Sequence, residues 1–340
     1  MKKVVEVSPQ LLHDLLAAVE DLKNVNPWHG LLRFMLLGGA SLGLAVLTWQ
    51  MQQMGWFVLG AIATSVVYTF WIVCNHDAIH RTLTGWRWFD KLMPRLSAWP
   101  LLIPVSTYSC LHRLHHAQNG IDLHDPERVQ RTVADYQRSS SWQRWYVRHQ
   151  WMIDVFVFGS IGIIVKIALQ GFKLKNTVAG LRQQMVIDAV GMVSVQTTIV
   201  SLLYLNSINL WRYLLFMVIL ERGVGIIMQA RDHIEHYGLE PVASELEALW
   251  QPTSCYTLRQ LYACRNVRSP AWVNWLMGGL PYHSVHHAFP GMVSTHLPEA
   301  FQRIQAVLER HHLPPMILEP GYIASSFRLG TQRYRLIEPV

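Results

Sequence analysis

Residues 56–80 read WFVLGAIATSVVYTFWIVCNHDAIH. From Trp56 to Cys74 no side chain carries a charge. That run approaches the ~20 residues a helix needs to cross the hydrocarbon core of a bilayer. Asn75-His76-Asp77-Ala78-Ile79-His80 follows without a break. On a helix, His76 and His80 are four apart, so they share one face and can bind one ion. A spanning helix that ends in a metal-binding pair sets two questions: where its partner spans lie, and where further ligands come from.

Upstream, Leu31–Trp49 is apolar apart from Arg33 and some small residues, and the linker Gln50–Gly55 is short and uncharged. The two runs therefore form a hairpin with both ends in the cytosol. Downstream, Val186–Leu205 and Leu210–Ala230 form a second hairpin, joined by Asn206–Asn209, with Glu221 and Arg222 half-way along the last run. Charges there are expensive in lipid, so they are expected to pair or to face a cavity. A further apolar run, Trp151–Leu169, lies between basic loops on both sides (Arg128–Arg148 and Lys173–Arg182). A single crossing would put one of those loops on the wrong side, so this run is expected to be interfacial or re-entrant. Met93–Val105 is too short to span and contains Pro94, Pro100 and Pro104. Leu11–Leu22 has apolar residues at helical spacing, as a surface-lying helix does.

The predicted fold is an all-α integral membrane protein. It has about four transmembrane helices in two hairpins, interfacial helices and a cytosolic helical cap that holds a metal site. The predicted organisation is an N-terminal helix at 1–30, a membrane domain at 31–310 and a C-terminal tail at 311–340. Composition agrees: 51% of the 340 residues are apolar and only 15% are charged, against about 25% in soluble proteins. The net charge of +7 comes from basic residues spread between apolar runs. The positive-inside rule accounts for that spread without a nucleic-acid partner. Cys74, Cys110, Cys255 and Cys264 form no CxxC pair, which excludes a zinc knuckle or a redox motif, and they read as reduced thiols. The N-terminus lacks the apolar core and cleavage site of a signal peptide.

Ten of the seventeen histidines fall in four groups. His76 and His80 are followed by His112, His115 and His116 (HxxHH), by His233 and His236 directly after the last span, and by His283, His286 and His287 (HxxHH). With the topology above, all four groups lie on the cytosolic side. They are too many for one zinc site, which closes with four ligands. They suit two ions in imidazole-rich shells, and iron with open positions is the choice for oxygen chemistry. Asp77, Glu235, Asp122 and Asp125 could fix ring orientation and tautomer, with Asp77 and Glu235 preferred because they sit inside the groups. His124 reads as a loop residue, and His13, His29, His149, His296, His311 and His312 as bystanders.

Three ordered boxes, H-D-A-I-H at 76–80, H-R-L-H-H at 112–116 and H-S-V-H-H at 283–287, resemble those of the membrane fatty-acid desaturase and hydroxylase superfamily. His286-His287-Ala288-Phe289-Pro290 is similar to that family's HHxFP ending. The resemblance covers roughly residues 55–310. It implies a four-span helical fold whose cytosolic cap holds two irons, with O2 as co-substrate. It implies a further ligand, His236, after the last span. It also puts Asp232 where the family commonly has an Asn holding a metal-bound water. As a carboxylate, Asp232 could bind iron directly. Glu235-His236-Tyr237-Gly238 is similar to a segment of membrane alkane hydroxylases. The implied metal ligands are therefore His76, His80, His112, His115, His116, Asp232, His233, His236, His283, His286 and His287.

The expected reaction is oxygen-dependent attack on an unactivated C–H bond of a lipid chain, foremost acyl desaturation. Hydroxylation, carotenoid ketolation or hydroxylation, and terminal-alkene formation use similar boxes. The expected substrate enters from the bilayer along an apolar tunnel lined by residues such as Phe70, Trp71, Trp99 and Tyr108. Basic residues such as Arg113, Arg128 and Arg268 could dock an acidic head group or an acidic electron donor. No fused haem or four-Cys module is visible, so electrons are expected from a separate donor of ferredoxin, rubredoxin or cytochrome b5 type with its reductase. A metal transporter would need histidines within the spans, and a two-zinc membrane hydrolase would need neither oxygen nor a reductant.

Overall fold

The computed structural model describes residues 8–119, 125–127, 131–236, 256–331 and 336–337. Asp122, His124, Arg128, Tyr237, Gly238 and Cys255 lie outside them. In chain order the helices are α1 (Pro9–Ala17), α2 (Pro27–Gln50), α3 (Met54–His80), α4 (Arg87–Ala98), α5 (Val105–Gln118), α6 (Val133–Arg138), α7 (Ser141–Met152), α8 (Gly159–Leu174), α9 (Leu181–Leu205), α10 (Leu210–His236), α11 (Tyr256–Tyr262), α12 (Ala271–Leu276), α13 (His283–Ala288), α14 (Leu297–Arg310) and α15 (Tyr322–Thr331). A π-helical turn, Ile153–Phe158, links α7 to α8. Two parallel pairs of two-residue strands, Arg131–Thr132 with Leu336–Ile337 and Asn266–Val267 with Leu318–Glu319, are the sheet among the described residues. The protein is an all-α membrane protein.

Five helical runs among the described residues are long and apolar enough to cross a membrane: α2, α3, Ser141–Leu174, α9 and α10. This is one more than the four expected, because the run containing 151–169 also qualifies by length and composition. Their outward side chains are apolar and exposed, as with Leu32, Leu36, Ile62, Val190, Val193 and Leu205, which suits lipid as solvent. The chain forms two compact units: residues 26–113 with 154–229, and residues 1–25 with 114–153 and 230–340.

In the first unit, α2 and α3 form the expected hairpin through close backbone approach. A Cβ at Gly60 of α3 would lie 2.5 Å from the Thr48 hydroxyl oxygen of α2, and one at Gly38 of α2 would lie 2.8 Å from the Trp71 ring of α3. Small residues at such crossings are how helices pack in lipid. Arg33, the odd charge in α2, is 1% exposed and pairs with Asp77 of α3 at 2.9 Å. Trp71 and Trp99, expected to line a tunnel, pack at helix contacts. Trp71 lies on Gly38, and the Trp99 ring occupies the space a side chain at Gly191 would need.

The placement of α5, which carries the second box, depends on one carboxylate in the next span. Asp188 of α9 accepts from the backbone amides of Ser106 (3.1 Å) and Thr107 (2.6 Å). It also accepts from the Thr107 hydroxyl (2.8 Å) and Trp99 Nε1 (3.0 Å). A helix N-terminus has amides without intrahelical partners, and here a side chain 81 residues away takes them. Glu221 and Arg222 pair as expected, and the pair also binds a broken stretch of backbone. Arg222 donates to the carbonyls of Val157 and Phe158, and Glu221 accepts from the Ile161 amide at 2.7 Å. These groups flank the π turn and the start of α8 at Gly159, where the helical ladder is interrupted.

In the second unit, α1, α11, α13 and α14 share one apolar core around Leu15, Leu258, Leu261, Val285, Ile304 and Leu308. A hydrogen bond between His311 and Asp14 at 2.9 Å and an ion pair between Arg303 and Asp21 at 2.6 Å fasten α1 and the turn after it. Asn266 holds the start of α13, accepting from the Ser284 amide at 3.2 Å and donating to its hydroxyl at 2.8 Å. The third box is thus fixed on a six-residue helix with Val285 anchored in the core.

Replacing Asp188 with Ala removes four acceptor contacts from a buried helix start. It should cost about 3 kcal/mol, read as a lower thermal midpoint of the full chain in detergent. A cost below about 0.5 kcal/mol would show that water substitutes for the carboxylate.

Candidate metal centre

In the first unit, α3 ends with His76 and His80, and α5 supplies His112. The three rings form a triangle: centroids are 5.0 Å apart for His76–His80, 5.0 Å for His76–His112 and 5.1 Å for His80–His112. Each offers a ring nitrogen, and these nitrogens lie within 4.8 Å of one another. Tyr108 Oη is 3.1 Å from His112 Nδ1. Tyr108, expected in a tunnel, thus engages one nitrogen of the His112 ring and leaves Nε2 for another partner. His76 Nδ1 is 3.6 Å from Asp77, whose other oxygen receives Arg33.

In the second unit the rings converge more closely. His283 Nε2 is 2.9 Å from His236 Nε2 and 3.1 Å from His287 Nε2. His286 Nε2 is 3.2 Å from His116 Nε2. Two neutral imidazole nitrogens this close share a proton or flank a cation, because lone pairs facing each other repel. His283 Nε2 faces two such neighbours, and one ring proton can serve only one of them. Metal–imidazole bonds of about 2.1 Å at an angle near 90° put two nitrogens about 3 Å apart, so the donor set fits an ion. Burial and the neighbouring rings hold His283 and His287 well below the usual imidazole range, which keeps them neutral and able to ligate.

His115 lies edge-on to His236 and His287, at centroid distances of 4.8 and 4.9 Å. Its Nδ1 is 2.9 and 3.0 Å from the two oxygens of Asp125. Burial opposes charge on this ring, but Asp125, helped by Glu127, overrides it and raises the pKa to about 9. A ring whose Nδ1–H is held by a carboxylate presents Nε2 to a metal, and binding there would displace the second proton. The sequence preferred Asp77 and Glu235 for this role. Asp77 is engaged by Arg33, and Glu235 pairs with Arg231 at 2.6 Å while lying 3.5 Å from His283 Nε2. Asp125 makes the shortest carboxylate contact to a box histidine of the three.

Cys264, read from sequence as an ordinary thiol, belongs to the closest group. Its Sγ and the ring nitrogens of His236, His283 and His287 lie within 4.8 Å of one another. Sγ is 3.8 Å from His236 Nδ1, behind the ring edge that meets His283, so it braces the ring. Asn119 donates to Cys264 Sγ at 3.1 Å and to Gln260 Oε1 at 3.2 Å, and lies 3.4 Å from His287 Nδ1. No sequence signal marked Cys264, Asn119 or Gln260, because each acts only by its place in space. Asp232 is half-buried and His233 fully buried, and neither joins this group.

Residues 54–318 match the sequence profile described as fatty acid desaturase. The chain belongs to the fatty acid desaturase family. It is therefore an integral-membrane oxidoreductase. It is 24% identical over 283 residues to an sn-1 oleoyl-lipid 12-desaturase of Anabaena variabilis, covering 81% of this chain and 75% of that protein. It is 23% identical over 291 residues to a Delta(8)-fatty-acid desaturase of Euglena gracilis, covering 81% and 67%. A shorter match, 26% over 104 residues, is to the Delta(5) fatty acid desaturase fat-4 of Caenorhabditis elegans, covering 31% of this chain and 22% of that one.

Replacing Asp125 with Asn should lower metal affinity about 10- to 100-fold, the usual cost of losing a partner behind a ligand. Metal content after dialysis against a graded chelator reads it. An unchanged content would make the contact to His115 incidental.

Proposed function

We propose that this desaturase-family enzyme removes two hydrogens from the acyl chain of a membrane lipid, using molecular oxygen and two irons. The proposed ligands are His76, His80 and His112, and His115, His116, His236, His283, His286 and His287. Asp232 and His233 are assigned beside the metals instead of on them. The observation that carries this reading is the meeting of three imidazole nitrogens, those of His236 and His287 around His283 Nε2. Family membership makes iron the ion of choice.

Bound iron supplies the one-electron oxidising chemistry that no side chain possesses. The chain's own residues hold and tune it. Asp125 keeps the His115 proton on Nδ1, Tyr108 does the corresponding service for His112, and Cys264 braces His236 from behind. The box rings are buried, apart from half-buried His80, which keeps bulk water from the reacting carbon. Electrons come from a separate donor of ferredoxin, rubredoxin or cytochrome b5 type. The basic loops support a cytosolic placement of the boxes and of both termini, which needs an even number of crossings and so leaves Ser141–Leu174 interfacial or re-entrant. The names of the Anabaena and Euglena relatives support a lipid acyl substrate.

Mass spectrometry of lipids from cells expressing the chain should show loss of two hydrogens from an acyl chain. Gain of one oxygen would instead make it a hydroxylase with the same metals. Purified protein should hold about two irons per chain, since one closed site accounts for about four ligands. His115→Ala and His286→Ala should each abolish turnover and reduce iron together. Full activity in iron-free protein would overturn the reading.

A further inference from the structure

A cavity of about 540 Å³ lies in the first unit, within the size range of small-molecule sites. Its wall carries five cations, Arg81, Arg87, Lys91, Arg95 and Arg113, and one carboxylate, Asp90. Asp90 is turned to the backbone: it accepts from the Thr84 amide and hydroxyl, at 3.2 and 2.7 Å, and from the Gly85 amide at 3.0 Å. Among the described residues, no carboxylate lies within salt-bridge distance of any of the five cations. Arg95 is held over the Trp99 ring and donates to Ser106, while Arg113 donates to Ser109 and Cys110. These contacts are neutral, so among the described residues the wall carries five positive charges against the single carboxylate of Asp90.

Helix α4 shows where this cavity sits in a bilayer. Arg87, Lys91 and Arg95 follow at four-residue spacing and form one stripe. Trp88, Leu92 and Leu96 form the adjacent stripe and are 59%, 44% and 55% exposed. Apolar and cationic stripes side by side mark a helix lying at the interface of lipid and water. The cavity is also next to the histidine triangle. Ala78 and Ile79 line it from between His76 and His80, and Ser109, Cys110 and Arg113 line it beside His112.

We propose that this cavity seats the phosphate-bearing head group of the lipid whose acyl chain is oxidised. Arginine forks match the several oxygens of a phosphate better than they match an uncharged sugar or choline head. A concave site beside an apolar stripe suits a lipid in the membrane better than an acidic protein, which needs a broad face. The assignment of the chain as substrate rests on the reading above, but the head-group site does not.

The test uses the full chain in detergent and three probes: dioctanoyl phosphatidylglycerol, a dioctanoyl galactolipid and inorganic phosphate. Phosphatidylglycerol should bind tightest and weaken as salt rises. Lys91→Gln and Arg87→Gln, both at exposed positions, should each weaken it about tenfold, the size of one charge-assisted contact. Lys91→Arg should retain affinity, and Lys173→Gln, outside the cavity, should leave it unchanged. Galactolipid or free phosphate binding as tightly as phosphatidylglycerol would overturn the proposal. So would an effect of Lys91→Gln confined to the apparent affinity for an acidic electron donor. If binding follows the expected pattern but no acyl chain is oxidised, the head-group site stands and the proposed reaction falls.

Discussion

Ring nitrogens about 3 Å apart are the constraint on which the rest of this structure depends. His236, His283 and His287 bring three of them together in a buried place where water cannot separate them. Neutral imidazoles so arranged repel unless something positive lies among them. A proton satisfies one pair, whereas a metal ion satisfies all three at once. Burial strengthens this logic, because it drives the rings towards neutrality and so towards ligation. A cluster of this kind is costly as a mere core and sensible as a metal site.

Such a cluster must be held rigidly, and the surrounding polar side chains do so. Asn119 contacts His287, Cys264 and Gln260, and Gln260 returns a bond to the Asn119 carbonyl at 2.9 Å. Tyr256 donates towards the carbonyls of both His116 and His287, tying the second box to the third through backbone. Asn266 anchors the third box's own helix. These groups satisfy one another inside the protein, so a ligand ring cannot rotate without breaking several bonds.

The histidine boxes were legible because their spacing is a local property: four apart or three apart on a helix means one face. The spans were legible because lipid demands long apolar runs. The supporting groups were only partly so: Asp125 stood among four candidate carboxylates, with Asp77 and Glu235 ranked ahead of it. Asp125 contacts His115 ten residues away in sequence, and Cys264 reaches His236 across 28. Nothing local distinguishes these residues from others of their type. The run at 151–169 was read as non-spanning from loop charge alone. Its length and apolarity qualify it, and its interruption by a π turn is invisible in composition. The packing of Trp71 and Trp99 was not legible for a related reason. Trp71 and Trp99 are large enough to line a channel or to fill a helix crossing, and only the glycines opposite them decide which.

Charged residues inside the spans follow one rule, which separates structural charge from charge available for a ligand. Arg33 is matched by Asp77, and Arg222 by Glu221 and by two backbone carbonyls. Arg212 donates to the Met51 carbonyl and lies 4.4 Å from the Phe57 ring. Asp188 is matched by four donors. In each case the low dielectric makes an unmatched charge untenable, so the fold matches it where the backbone is interrupted or another helix comes near. Among the described residues the five cations around the cavity depart from that pattern: Arg95 and Arg113 bond neutral groups, and the one carboxylate in the wall, Asp90, is bonded to a turn and acts on Arg81 only at longer range. They can remain unmatched because that helix lies at the interface and water or an anion reaches them. Positive charge concentrated in a concave wall repels itself and is relieved when an anion enters. A lipid phosphate is the anion that the adjoining apolar stripe would bring to that depth.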